Sequence, residues 1–214
     1  QTKAVNLLIQ RNSHWVGKST TLKNDKNHVD WLTAARKRDW HYWRRYRDFL
    51  ESKLSDVVVE GLNEATDDIL GLLEDPNRSD DWDRRGLVVG HVQSGKTSNY
   101  SGLVCKAADA GYKIIIVLAG MHNNLRSQTQ MRLEESFLGY ETTIDRDPGM
   151  PIGVAEFGED LKTNSATTRA ENGDFNKAIA KHFHGISPEE RPWLFVVKKQ
   201  KSVLTALLHW IQTR

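Results

Sequence analysis

The eight residues GHVQSGKT, Gly90 to Thr97, constrain this chain more than any other feature, because they match the G-x-x-x-x-G-K-[ST] spacing of a phosphate-binding loop. Glycines let the backbone turn so that consecutive N–H groups point at phosphate oxygens. In such a loop Lys96 brings positive charge to the β- and γ-phosphates, and the Thr97 hydroxyl is a ligand for Mg²⁺. We expect nucleotide contacts from Gly90, Gln93, Ser94, Gly95, Lys96 and Thr97, with Lys96 and Thr97 as the catalytic pair.

The residues around this loop have the pattern of a βαβ unit. Leu87–Val89 is apolar without alternation, which is typical of a strand buried on both faces. A helix with apolar periodicity follows and ends at Gly111, and Lys113–Ala119 predicts a second buried strand. By contrast, the GKS triplet at Gly17 lacks both the first loop glycine and a preceding strand, so we reject it as a second loop.

Further strands and helices follow along the chain. Residues 152–155 predict a short strand, 175–183 a helix, Trp193–Val197 a third buried strand and 202–211 a final helix. Alternating strands and helices favour an α/β fold with a parallel sheet, here that of a P-loop NTPase. We therefore assign residues 85–214 to this lobe.

Residues 1–84 predict a helical region with a polar lead-in. Helical periodicity covers about residues 30–54, and Ser55 is the predicted N-cap of a second helix. The apolar stripe of this second helix consists of Val58, Leu62, Ala65, Ile69 and Leu72.

Charge in this region is strongly segregated. Six Lys/Arg and one acid lie between Arg36 and Arg47, followed by twelve acids and two bases from Asp48 to Asp83. Two interpretations stay open: solvated helix faces, or a phosphate-contacting patch with rings that stack on bases. The rings concerned are those of Trp40, Tyr42, Trp43 and Tyr46.

A second candidate site follows the second predicted strand, at Gly120–Thr129. Ligands bind at the carboxyl edge of open α/β sheets, where this segment begins. The side chains that could donate hydrogen bonds to phosphates or sugars of DNA are Asn124, Arg126, Gln128 and Thr129. The alternative is a helix N-terminus capped by Asn123 with a solvated polar face.

Composition limits the other classes of function. No apolar run is long enough to cross a bilayer, and the single cysteine, Cys105, excludes a disulfide framework and predicts a packing role. We therefore expect a cytoplasmic protein with no membrane contact. None of the predicted strands ends in the Asp or Glu that holds Mg²⁺ in nucleotide hydrolases, so we expect this chain to bind ATP without turnover, as the N-terminal part of a longer protein.

The segment Arg85–Thr129, RGLVVGHVQSGKTSNYSGLVCKAADAGYKIIIVLAGMHNNLRSQT, closely resembles the Z-one domain family of endonuclease-type proteins, and weaker likeness extends over about residues 40–214. The family is related to superfamily-two helicase ATPases and occurs near restriction and phage-defence genes. The resemblance implies a first RecA-like lobe that uses ATP and Mg²⁺, with helicase motif I at 90–97 and motif Ia at 120–129. It also implies a Walker B acid and a second lobe beyond residue 214, with DNA and the other subunits of a defence complex as partners. Nuclease activity is not carried over, because no carboxylate cluster of that kind is identifiable. The alternative function is a nucleotide-gated regulatory or assembly module without translocation.

Overall fold

The computed structural model describes residues 27–89, 95–142, 150–158, 163–176, 178 and 191–213. The helices are α1 (Tyr42–Glu51), α2 (Asp56–Gly71), α3 (Lys96–Ala110), α4 (Asn123–Leu133) and α5 (Lys201–Gln212). The strands are β1 (Ile114–Leu118), β2 (Asn164–Ser165) and β3 (Trp193–Val197). A π-helical turn, Glu134–Leu138, extends α4, and Gly153–Glu156 forms a 3₁₀ turn.

The sheet is parallel throughout, with strand order β1-β3-β2, which confirms the predicted α/β class. β1 pairs with β3 along its whole length, from Ile114 opposite Trp193 to Leu118 opposite Val197. Every residue of β3 is buried, as its unbroken apolar sequence predicts.

Side chains of β3 alternate between two cores. Leu194 and Val196 pack into a larger core shared with α1, α2 and α3. Trp193, Phe195 and Val197 pack into a smaller core under α5. The larger core includes residues from both sides of the predicted 84/85 boundary, so that boundary marks a change of secondary structure within one core.

The N-terminal helices differ from their predicted bounds. Residues 34–39 form turns, and α1 begins only at Tyr42. In α2 the buried face is Val59, Leu62, Thr66 and Leu70, which is displaced by one residue from most of the predicted stripe. Thr66 satisfies its hydroxyl by donating to the Leu62 carbonyl 2.8 Å away, which is why a polar residue can lie on the packed face.

Two predicted strands are absent where the structure describes them. Residues 81–89 have no regular secondary structure, and Leu87 and Val89 are 88% and 85% exposed. This corrects the predicted buried strand before the loop: an apolar run becomes a buried strand only if neighbouring strands cover it, and none of the described strands pairs with it. The segment predicted as a strand at 152–155 instead contains the 3₁₀ turn that begins at Gly153. The predicted helix at 175–183 lies largely outside the described residues.

Three of the four rings in the basic block are buried, and several of its bases pair with acids. Trp40, Trp43 and Tyr46 are buried in the larger core, where no base could stack on them. Arg36 pairs with Asp75, and Lys37 with Asp67 at 2.7 Å, so that bases of the first block bind acids of the second. Arg47 likewise pairs with Glu51, so three of the six bases pair with acids of the second block.

Candidate functional site

The last three residues of the phosphate-binding motif lie at the start of α3. Gly95 has φ +73°, the left-handed conformation that the motif's second glycine is expected to supply. Lys96 is the first helical residue and is exposed, and Gly95, at the N-cap position, has no side chain that could cap the helix. Backbone N–H groups of the first turn and the helix dipole thus favour an anion there. Gly90, Gln93 and Ser94 lie outside the described residues.

A second cation, which the sequence analysis missed, joins this helix end. Arg132, near the end of α4, donates from Nη1 to Thr97 Oγ1 over 3.3 Å. The two helices lie side by side, since Ser136 donates to the Ser101 hydroxyl at 3.0 Å one turn further along. No local sequence signal links positions 97 and 132, because only the packing of the two helices brings them together.

This helix end is suited to a polyanion with a divalent cation. Lys96 and Arg132 supply two positive charges, and the Thr97 hydroxyl is an oxygen ligand of the kind that Mg²⁺ accepts. Within the described ranges, no group of three or more His, Cys, Asp and Glu residues is placed to hold a metal ion. Thr97 thus offers one ligand, and phosphate oxygens and water would have to complete the shell.

The predicted DNA-contacting residues are divided between the surface and the interior of the protein. Asn124 and Gln128 are exposed on α4, and Thr129 donates its hydroxyl to the Leu125 carbonyl at 2.8 Å. Asn123 is in the first turn, where Lys198 donates to its Oδ1 at 2.6 Å. The alternative interpretation places the cap at Asn123, but the N-cap position belongs to His122, whose side chain makes no capping hydrogen bond.

Arg126 does not fit the predicted contact to a DNA backbone. Its side chain is fully buried, and Nη2 donates to the carbonyl of Ala170. Nε and Nη1 have no hydrogen-bond partner among the described residues, and burial lowers the pKa of the guanidinium. The charge of Asp174 acts in the opposite direction. In this conformation Arg126 is a structural residue.

The buried face of α4 is a polar ladder, not a solvated surface. Gln130 donates to Ser165 Oγ at 3.2 Å and accepts from Thr167 Oγ1 at 2.7 Å. One turn later the Glu134 carboxylate accepts from Thr142 and from Arg169 Nε at 2.7 Å. The polar side chains at i, i+4 on α4 therefore pack against the 163–175 segment. The sequence alone cannot distinguish this arrangement from a solvent-exposed polar face, because both have the same spacing.

A carboxylate does lie at the carboxyl end of β3, although no acid ends that strand in sequence. Asp174 accepts from the backbone N–H of Phe175 at 2.8 Å and of Lys198 at 3.4 Å. The ammonium of Lys198 is 3.7 Å from the same carboxylate. These contacts and its burial make Asp174 a link between the 163–175 segment and the sheet, not an open metal ligand.

Cys105 lies on α3 and is fully buried, with Sγ donating to the Ser136 carbonyl at 3.4 Å. Burial raises the pKa of this thiol well above its usual value, so it is a poor nucleophile. No described helix is both long and apolar enough to cross a membrane. Comparison of the chain with known protein families, with curated proteins and with solved structures finds no match.

Proposed function

We propose that this chain is the ATP-binding part of a helicase-like, DNA-dependent ATPase, a first RecA-like P-loop lobe that acts in DNA restriction or phage defence. The observation that carries the proposal is the placement of the motif: α3 begins at Lys96, directly after a left-handed Gly95, and leads into the parallel strand β1. In P-loop proteins the helix after the loop likewise leads into a strand of a parallel sheet, although the strand that precedes the loop in those proteins is not formed by residues 81–89 here.

In this proposal, the role of each residue follows from its position. The loop amides and Lys96 bind the phosphates, and Thr97 is the Mg²⁺ ligand. Arg132 adds a second cation beside Thr97. The exposed side chains of Asn124 and Gln128 carry the contacts to DNA, and Arg126 holds α4 against the 163–175 segment.

Titration of a fluorescent ATP analogue with the full chain, in the presence and absence of Mg²⁺, tests the nucleotide site. Lys96→Ala should weaken binding at least about tenfold, because it removes the charge on the phosphates. Lys18→Ala is the matched control, since Lys18 lies in the rejected GKS triplet and should bind like wild type. Equal binding by wild type and Lys96→Ala would refute the nucleotide site.

The alternative, a nucleotide-gated module without translocation, is favoured by one observation: the acid at the described sheet edge, Asp174, is engaged by Lys198 and by backbone N–H groups. A site without an available acid binds nucleotide but hydrolyses it poorly. Measuring ATPase rates of a longer protein that contains this chain, with and without single-stranded DNA, separates the two functions. Stimulation by DNA supports the ATPase, and binding without stimulated turnover supports the module.

A further inference from the structure

Among the described residues, the side chain of Arg132 has no carboxylate partner. Its Nη1 donates to the neutral hydroxyl of Thr97 over 3.3 Å, in the first turn of α3. That turn contains no acid, and the exposed Lys96 likewise forms no ion pair with a described residue. Two positive charges and the positive end of the α3 dipole therefore lie together without a counter-charge from the described part of the chain.

The packing of α3 against α4 fixes the position of Arg132. Thr97, Ser101 and Cys105 recur at i, i+4 and i+8 on α3, so they lie along one side of that helix. Ser136 donates to the Ser101 hydroxyl at 3.0 Å, and its carbonyl accepts from Cys105 Sγ at 3.4 Å. Arg132 lies one turn before Ser136, as Thr97 lies one turn before Ser101. The two helices therefore run side by side in the same direction, which holds the backbone of Arg132 beside the start of α3.

The contact with Thr97 relates this guanidinium to one part of a bound nucleotide. In P-loop proteins the loop amides enclose the α- and β-phosphates, and the hydroxyl at this position holds the Mg²⁺ that bridges β- and γ-oxygens. Arg132 belongs to α4 and not to the loop, so it adds contacts on the side of the phosphates that the loop leaves open. The oxygens that remain for it are those of the terminal phosphate.

Exchanging the hydroxyl for a phosphate is favourable for Arg132. Its bond to Thr97 is longer than most N–H···O hydrogen bonds, and the acceptor is uncharged. A charge-assisted bond to a phosphate oxygen is shorter and stronger, and the planar guanidinium can form two of them in parallel. Because the side chain is exposed, it can turn towards a phosphate while the helices stay packed.

We propose that Arg132 is the residue by which this site selects a nucleoside triphosphate over a diphosphate: when nucleotide binds, its guanidinium exchanges the Thr97 hydroxyl for oxygens of the terminal phosphate. The inference rests on the proposed nucleotide site and adds the group that recognises the third phosphate. The exchange also leaves the Thr97 hydroxyl available to Mg²⁺.

Titration of the full chain with fluorescent ADP and with a fluorescent non-hydrolysable ATP analogue, both with Mg²⁺, gives two dissociation constants for each variant. Arg132→Ala should weaken triphosphate binding at least about tenfold and diphosphate binding less than about twofold. Arg132→Lys should lose part of the triphosphate affinity, because lysine keeps the charge but not the planar fork. Arg44→Ala is the matched control: Arg44 is exposed near the start of α1, which Asp109 holds about 18 Å further along α3 than Thr97. It should leave both constants unchanged.

Far-UV circular dichroism establishes that each variant is folded, and Lys96→Ala in the same assay reports on the nucleotide site itself. Loss of both nucleotides in Lys96→Ala, with unchanged binding in Arg132→Ala, would overturn the role of Arg132 and leave the nucleotide site intact. An equal loss of triphosphate and diphosphate affinity in Arg132→Ala would also overturn it, because the residue would then supply only general positive charge. Equal binding by wild type and Lys96→Ala would refute the nucleotide site and this inference with it.

Discussion

Asp109, near the end of α3, fixes the start of α1 across the larger core. Its carboxylate accepts hydrogen bonds from the backbone N–H groups of His41, Tyr42 and Trp43, at 2.8, 3.0 and 2.8 Å. His41, at the N-cap position, makes no side-chain capping bond. A carboxylate 66 to 68 residues away in sequence thus replaces the local cap that a helix usually has.

Burial of this carboxylate has a defined effect on stability. Desolvation raises the pKa of Asp109 from 3.8 to about 6, against the opposing effect of the three N–H donors. Because the native state holds the proton more tightly than the unfolded state, the stabilisation is fully present below pH 3.8 and is lost as pH rises through 6. A shift of this size corresponds to about 3 kcal/mol, of which about 2 kcal/mol falls between pH 4 and pH 7.

Replacing Asp109 by Asn should remove this dependence, because the amide keeps a carbonyl acceptor but does not titrate. Urea unfolding followed by tryptophan fluorescence, at intervals from about pH 4 to about pH 7, gives the free energy of unfolding for both proteins. The stability of Asp109→Asn relative to wild type should rise by about 2 kcal/mol across this range. Asp48→Asn, an exposed acid on α1, controls for the loss of one negative charge.

The stability difference between wild type and Asp109→Asn can change with pH in either direction, and its sign tests this explanation. If the three N–H donors outweighed desolvation, the pKa of Asp109 would lie below 3.8, and wild type would gain stability over the variant as pH rises. A difference that is constant with pH would show that the carboxyl group has the same pKa in the folded and unfolded states. Either result would refute the account of this cap.

Three further predictions concern other buried positions. Glu134→Ala should lower the free energy of unfolding by about 3 kcal/mol, because it leaves the guanidinium of Arg169 without its buried partner. Urea unfolding of Glu134→Ala and Glu134→Gln measures how much of this loss of stability is due to the charge of Glu134. Cys105 should react with a thiol reagent at about pH 8 only in urea, since its pKa is raised by burial, and rapid reaction of the native protein would contradict its placement. Gly153→Ala should lower the thermal midpoint and cost about 3 kcal/mol, because φ is +55° there and a Cβ would clash with the carbonyl oxygen of Glu135. An unchanged midpoint would refute this account of the turn.

Local sequence patterns correctly predicted those elements that depend only on residues close together in the chain. The continuous apolar run of β3 is a strand buried on both faces, and Gly111 ends α3 in the left-handed conformation. The glycine–lysine–threonine end of the motif lies at the start of a helix, as its spacing requires. Leu87–Val89 has an equally apolar sequence but is exposed, because a strand also needs neighbours and no local pattern supplies them.

The sequence by itself determined the α/β class, the match to the phosphate-binding motif and the buried strand β3, since periodicity and glycine placement act within a few residues. Residues 113–119 are predicted as a second buried strand, but alternate side chains of β1 are exposed. Only the tertiary structure decided which polar side chains make contacts within the protein and which are exposed to solvent. It places Arg126 inside the protein, brings Arg132 beside Thr97, and gives Asp109 the role of a helix cap. The physical reason is that a polar side chain has the same local pattern whether water or a distant partner satisfies it, and the partner is set by how the helices pack.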